Sequence, residues 1–544
     1  MNNSYSNTVF CFEPVYESTI LKILRTLKSQ AIGSDGISFE MLRLIQSDIL
    51  PVLTQIVNNS MTTSTYPDQW KKAIVHPLNK IANPLDFRDI RPISILPCMS
   101  KLLEKVVHGQ IMTYLEINGI LPSLQSGFRR GRSTTTALID IVDNILLSQN
   151  KGQCTVLVLL DYSRAFDTIN VEFLLSKLVY YGFSVQTVLW FKSYFGNRYQ
   201  SVAVTEDSGN TRYSRYKSIP RGVPQGSILG PLLYNLYTTD IINNIEHCKY
   251  HIYADDIQLY FSFPTDQIQV AINQLNADLQ RIAEWSERSA LALNTDKTKY
   301  MILGTPSLIK NFEQANPLIH IKGISLGRVN EARNLGIVFD ESLRFDKHID
   351  QVICNCFYRL KLLYRIRNHM TPKLRQKLCD ALVLSKLTYG DTVYGARILV
   401  RTQNSIQRIQ NACARYCWDI PPRSHITPYL NNAKVPNMES RRRTHFAVLL
   451  FGVVKYHMPP YLYKKLSWLG DKNRAYSTRA SHWMLDVPKH HTAAFRGSFR
   501  YSATKCWNNL PPPLRDLTTI SNFRVKMKKY VMASQIDSAL VAKK

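Results

Sequence analysis

Acidic residues are what this 544-residue chain is short of: 40 Asp and Glu stand against 68 Lys and Arg, a formal charge of +28. Such an excess argues against a cationic partner and for a polyanion, nucleic acid first and an anionic membrane surface second. Cysteine is sparse, ten in all. Cys354/Cys356 and Cys413/Cys417 are close pairs, but no His or Cys lies nearby at zinc-finger spacing, so buried thiols in a reducing compartment are the reading. Long hydrophobic runs are missing too. Those at 155–160 and 447–454 are far too short to span a bilayer. Residues 1–6 have neither the basic nor the apolar region of a secretory signal. No internal repeat or low-complexity tract is present. Apolar residues are not scarce: at 45% they supply a large core and exclude wholesale disorder. The length suits roughly three or four domains.

Taken in order, residues 15–31 carry Ile20, Ile23, Leu24 and Leu27 on one side and Lys22, Arg25 and Lys28 on the other, an amphipathic helix. Residues 33–36 make a turn, a helix is predicted over 39–61, and 73–78 read as a strand with Lys80 just past it. Arg88 to Ser94 form a basic loop and strand containing Arg91. Ser100 is placed to cap a helix with Leu103, Val107, Ile111 and Leu115, ending near Gly119. In 125–133, glycines mix with Arg129, Arg130 and Arg132. Such a loop can hold phosphates through amides and guanidinium groups, or can simply be a solvated basic loop.

The run 155–160 is apolar throughout, as a strand buried on both faces is, and Asp161 ends it. A carboxylate there is either a helix cap or a site residue. Asp167, six residues on, reads as a structural hydrogen-bonding group rather than a metal ligand. The stretch 220–227 has two glycines and two prolines, which force an irregular backbone before a helix over 229–236. It is either a loop that lets a substrate approach the main chain or a plain turn. Tyr250 to Ile252 and Ile257 to Phe261 are strand-like, so Asp255 and Asp256 fall at a hairpin tip. Two adjacent carboxylates repel unless a cation joins them, and their hard oxygens suit Mg²⁺ or Mn²⁺. The alternative is a type I′ turn that the aspartates merely serve.

Ile268, Ile272, Leu275, Leu279 and Ile282 give a strong amphipathic helix over 268–285, extended by Trp285. Strands are expected after Asn294 and over 335–339. From His348 the chain turns helical. Ile349, Ile353, Cys356, Leu360 and Leu363 form an apolar stripe, beside Arg359, Lys361, Arg365 and Arg367. The last region, 421–544, carries Arg441 to Arg443 and a basic run from Lys526 to Lys529.

In order and spacing these pieces resemble the reverse transcriptases of non-LTR retrotransposons, the jockey-like and LINE-type elements. The resemblance runs through 33–36, Trp70 to Lys80, Arg91-Pro92-Ile93-Ser94, Ser100 to Lys105 and Gln125 to Arg129. It continues through Asp161 to Asp167, Gly222 to Ser227, Tyr253 to Asp256 and Lys297-Thr298. Ser498-Phe499-Arg500 and Trp507 to Pro511 resemble the ends of such proteins. The resemblance implies an α+β right-hand polymerase: fingers and palm over 1–345, a helical thumb over 346–420, and a mainly helical extension of unknown role over 421–544. It implies that Asp161, Asp255 and Asp256 hold two ions, Mg²⁺ or Mn²⁺. Lys80 and Arg91 would meet the triphosphate. Phe166 would screen out a ribose 2′-hydroxyl, Gln225 and Gly226 would lie beside nucleotide and template, and Lys297 would protonate pyrophosphate. Arg129, Arg132 and the four basic residues 359–367 would bind nucleic acid. RNA template, DNA primer and dNTPs follow as partners, with no membrane and a nuclear location.

Such elements usually carry an endonuclease upstream, and only 34 residues precede Asp35. A truncated copy or a separate polymerase part is therefore the expectation. A catalytically decayed nucleic-acid-binding remnant is the rival, and Phe166 disfavours an RNA-directed RNA polymerase.

Overall fold

The computed structural model describes residues 8–471 and 483–541; residues 1–6, read above for a signal, lie outside them. In chain order the elements needed below are β1 (Lys72–Asn79), β2 (Ile90–Ile95), α1 (Cys98–Ile117), α2 (Thr134–Asn150), β3 (Cys154–Leu160), β4 (Tyr199–Thr205), α3 (Gly230–Thr238), β5 (Lys249–Tyr253), β6 (Asp256–Phe263), α4 (Ile268–Arg288), β7 (Lys299–Leu303), β8 (Gly327–Arg328), α5 (Asp346–Arg365), α6 (Val400–Trp418), α7 (Met438–Tyr456) and α8 (Ile520–Val541). The mixture of helix and sheet is the α+β class expected. Among the described residues no helix is long and apolar enough to cross a membrane.

The chain forms two compact units. The first comprises Met1–Phe128, Asp161–Glu246 and Asp278–Asn294; the second comprises Arg129–Leu160, His247–Ala277 and Thr295–Lys544. In the first unit β1 pairs antiparallel with β2 and parallel with β4. Its core is aromatic. Trp190 is fully buried, stacks on Tyr194 with centroids 5.7 Å apart, and meets Tyr66 edge-on at 5.4 Å. The indole Nε1 donates to Ser60 Oγ at 3.0 Å, which satisfies the one polar atom such a ring brings inside.

In the second unit the sheet order is β8-β7-β3-β6-β5. The apolar run does sit at the centre: β3 is antiparallel to both β6 and β7. The pairing of Leu160 with Ile257 and Cys154 with Phe263 fixes the register. Helix α2 packs on this sheet, and its Ser133 cap forms a reciprocal capping box with Thr136. Further along, Phe451 of α7 stacks on Phe523 of α8 at 4.2 Å.

Two expectations need correction. The helix predicted over 39–61 is two, Phe39–Leu44 and Gln46–Thr62, because Ile45 leaves the helical region at φ −108°, ψ 23°. Ser100 is no cap: α1 begins at Cys98, after Pro97, so Ser100 already lies inside the helix. The 268–285 stripe holds, since Ile268, Ile272, Leu275, Leu279, Ile282 and Trp285 are all buried.

Replacing Trp190 by Ala removes the centre of the first unit's core. Urea unfolding should show a loss of about 3–5 kcal/mol. A loss under about 1 kcal/mol would mean that the ring cluster is not what stabilises this unit.

Candidate active site

The first unit packs the turn that carries Phe166 against the loop that carries Gln225 and Gly226. Arg164 takes a left-handed conformation at φ 51° and closes a turn in which its carbonyl accepts from Asp167 N. Phe166, between them, lies over the buried ring of Tyr234 with centroids 4.6 Å apart and 28° between planes. The glycine loop packs against this turn. Val223 N donates to the Phe166 carbonyl and Gly222 N to that of Ile169, both at 3.0 Å. A Cβ on Gly222 would come within 2.7 Å of the Asp167 main chain, at φ +81°, so the close approach requires glycine. Gln225 Nε2 donates to Asp167 Oδ1 at 2.8 Å, the structural use read for that carboxylate.

The same loop reaches β2. Ser94 N donates to the Gln225 carbonyl at 2.7 Å, and any side chain on Gly226, at φ +130°, would be driven into the Ser94 carbonyl. Arg91 lies three residues back on β2, opposite Leu78. Lys80 follows β1, with its main-chain N donating to the Asp89 carbonyl at 2.7 Å. Both side chains are exposed at the end of this hairpin where residues 80–89 join its strands. Phe166, Gln225 and Gly226 are thus brought together, with Arg91 and Lys80 on the strand pair that contacts them.

One residue of this region went unseen in the sequence. Glu104 is fully buried on α1, and Oε2 accepts from the main-chain N of Ile228 at 2.7 Å and of Leu229 at 3.0 Å. Its other oxygen accepts from Ser100 Oγ at 3.0 Å, and that hydroxyl accepts from Tyr66. The carboxylate therefore holds the chain just after the glycine loop, where α3 begins. Burial pushes the Glu104 carboxyl above the usual range, against the pull of Arg198 and these donors. The i, i+4 spacing of Ser100 and Glu104 on an otherwise apolar face was the available signal.

In the second unit, β5 and β6 form the expected hairpin. Tyr253 pairs with Asp256, which leaves a two-residue loop of Ala254 and Asp255. Ala254 is buried at φ 58°, while Asp255 has no positive φ; a type I′ turn needs both, so that alternative fails. Asp255 is half-buried and Asp256 exposed. Asp161 belongs to the first unit and is the residue after Leu160 of β3. The donors are hard carboxylate oxygens, of the kind Mg²⁺ and Mn²⁺ prefer. Among the described residues no group of three or more His, Cys, Asp or Glu is gathered to hold a metal ion.

The basic residues of the second unit differ from one another. Lys297 is exposed in the turn before β7. Arg129 is buried, and Arg132 is half-buried with its guanidinium 5.6 Å from the Tyr461 ring centroid. On α5, Arg359 donates to Asn355 Oδ1 at 2.8 Å, while Lys361 and Arg365 are exposed. Arg367 is ion-paired with Asp419 and lies over the Tyr364 ring at 5.5 Å.

With this geometry in hand, residues 80–339 match the family described as reverse transcriptase (RNA-dependent DNA polymerase). The stretch contains every expected site residue except the four on and after α5. The chain is 28% identical over 428 residues to a probable RNA-directed DNA polymerase from transposon BS of Drosophila melanogaster, an alignment covering 75% of this chain and 45% of that protein. It is 28% identical over 444 residues to the RNA-directed DNA polymerase from mobile element jockey of Drosophila funebris, covering 79% and 47%. It is 26% identical over 423 residues to a probable RNA-directed DNA polymerase from transposon X-element of Drosophila melanogaster, covering 74% and 44%. The resemblance to jockey-like non-LTR retrotransposon reverse transcriptases therefore holds. The chain spans less than half the length of these relatives. Reverse transcriptases as a family use divalent metal ions.

Glu104→Ala should destabilise the chain by about 1–3 kcal/mol for each donor left without an acceptor, and Glu104→Gln by clearly less, because the amide oxygen still accepts. Urea unfolding of both decides. Equal losses would show that the carboxylate's hydrogen bonds are not what hold the start of α3.

Proposed function

We propose that this chain is an RNA-directed DNA polymerase of a non-LTR retrotransposon, joining dNTPs to the 3′-hydroxyl of a DNA primer on an RNA template. One observation carries the reading: within the reverse transcriptase stretch, the β5–β6 hairpin presents Asp255 in its loop and Asp256 at the start of β6, and β6 pairs with a central apolar strand whose next residue is Asp161. The right-hand division follows from the family: fingers and palm over 1–345, a thumb over 346–420, and an extension beyond.

In this reading Asp161, Asp255 and Asp256 bind two divalent ions. When bound, such ions activate the primer hydroxyl and neutralise the leaving pyrophosphate. Lys80 and Arg91, exposed on the β1–β2 hairpin, draw in the triphosphate. The Phe166 ring, steadied by Tyr234, fills the space a 2′-hydroxyl needs. Gln225 and Gly226 offer main chain to the nucleotide and template, and Lys297 delivers a proton to the pyrophosphate. In the transfer the primer oxygen bonds the α-phosphorus as the bond to pyrophosphate breaks.

Asp255→Asn should abolish primer extension in Mg²⁺ or Mn²⁺ while RNA binding stays within about twofold, since one carboxylate among many phosphate contacts is changed. Normal extension by that protein rejects the assignment, and an inactive parent leaves the decayed remnant as the better reading. Phe166→Ala should raise incorporation of ribonucleotides relative to deoxyribonucleotides. An unchanged ratio returns Phe166 to the role of a core ring on Tyr234.

The basic residues of α5 give a separate prediction. If Arg365 grips phosphate, Arg365→Ala should weaken RNA–DNA duplex binding and lower the log–log salt slope by about one unit. A parental slope leaves the guanidinium as a solvating charge. Arg367→Ala is the poorer probe, because Arg367 also ties to Asp419 and lies over Tyr364.

A further inference from the structure

Helix α2 carries two carboxylates three residues apart, Asp140 and Asp143, and both are buried. Like charges at that spacing repel, and burial removes the water that would screen them. The balancing cations come from far along the chain. Lys465 Nζ lies 2.9 Å from Asp140 Oδ1, 3.1 Å from Asp143 Oδ2 and 2.6 Å from Asn144 Oδ1. Arg500 Nε donates to Asp143 Oδ2 at 2.8 Å, and its main-chain N donates to Asp143 Oδ1 at 2.9 Å.

On their other side the same α2 residues meet the hairpin that carries Asp255 and Asp256. Asp140 Oδ2 lies 3.1 Å from Nδ1 of the fully buried His251 on β5. Asn144 Nδ2 donates to the Tyr260 hydroxyl on β6 at 2.8 Å. One residue from each strand of the hairpin is therefore engaged. Tyr461 completes the set: its ring meets His251 edge-on at 5.1 Å, and its hydroxyl donates to Thr136 Oγ1 at 2.9 Å. Among the described residues β5 is the outermost strand of its sheet, paired with β6 alone. A strand at an edge lacks half its ladder, and the buried His251–Asp140 contact ties β5 to α2 instead.

We propose that Lys465, Arg500 and Tyr461 of the C-terminal extension are positioning residues for the aspartate hairpin, Lys465 and Arg500 acting through Asp140, Asp143 and Asn144, and Tyr461 through His251 and Thr136. The extension is then a working part of the polymerase. Its functional consequence rests on the polymerase reading above. Lys465 and Arg500 keep α2's carboxylates compensated, and α2 in turn fixes both strands of the hairpin that bears Asp255 and Asp256. A carboxylate displaced by about 1 Å can cost on the order of 100-fold in rate.

The test uses the full chain and three variants, Lys465→Met, Lys465→Arg and Tyr461→Leu. Thermal unfolding is checked first, and amide hydrogen exchange is then followed peptide by peptide. Lys465→Met should accelerate exchange over 249–261 while leaving the first unit's β1–β2 hairpin at the parental rate. In primer extension its kcat should fall about 10–100-fold, with KM for dNTP and duplex affinity within about threefold. Lys465→Arg, which keeps the cation, should recover most of both effects. Parental exchange over 249–261 in a folded Lys465→Met protein overturns the proposal, as does faster exchange spread evenly over the chain. Should Lys465→Met not fold, Tyr461→Leu is read by the same two outcomes. A parent that extends no primer defeats the polymerase reading alone, because the exchange pattern still decides whether the extension holds the hairpin.

Discussion

The pairing of β3 with β6 is the constraint on which the second unit depends. β3 is apolar from Val156 to Leu160 and has a strand on each side, so its position is set by ladders on both edges and by burial on both faces. A slip of one residue would turn every side chain of β6 to the opposite face. Because β6 begins at Asp256, the register that seats Val156 to Leu160 also decides where Asp255 and Asp256 stand in the sheet. Apolar burial thereby specifies the location of two carboxylates.

Both units also bury charge, and in each case the charge joins elements distant in sequence. Glu104 on α1 holds the main chain at Ile228 and Leu229. Asp140 and Asp143 on α2 hold Lys465, Arg500 and, through His251, an edge strand. A buried carboxylate is costly unless its lone pairs are filled, and replacing such groups by apolar ones is often neutral for stability. Their value lies in direction. An apolar contact tolerates sliding, whereas a carboxylate that accepts two main-chain N–H groups fixes a loop end to within a fraction of an ångström.

Local pattern made much of this legible. The run 155–160 read as a doubly buried strand, the 268–285 stripe as a helix, and the flanks of Asp255 and Asp256 as a hairpin, because each is written in a period of a few residues. The glycines of 222–227 were recognisable as an irregular loop, although what they press against was not. What escaped depends on partners far away. Lys465 and Asn144 are 321 residues apart, and neither differs in type from dozens of solvated residues. Arg367 read as an outward-facing charge because Asp419, its partner, lies beyond any helical period. Ser100 was taken for a cap because serine before an apolar stripe usually is one; Pro97 and Cys98 start the helix earlier.

Ala254 depends on both kinds of constraint. An alanine at φ 58° is strained by about 1–2 kcal/mol, and glycine would remove the strain. Such a conformation persists only where its surroundings leave no alternative. Here β6 is fixed by β3, and β5 by β6 together with the buried contact of His251 with Asp140, so both ends of the two-residue loop are determined before the loop itself is. Glycine would relieve the strain, but it would also widen the set of conformations open to Asp255, next to it. A rigid residue at the first loop position, clamped from both strands, narrows the directions the half-buried carboxylate can take. If Asp255 holds a metal ion as proposed, that restriction offsets the strain it costs.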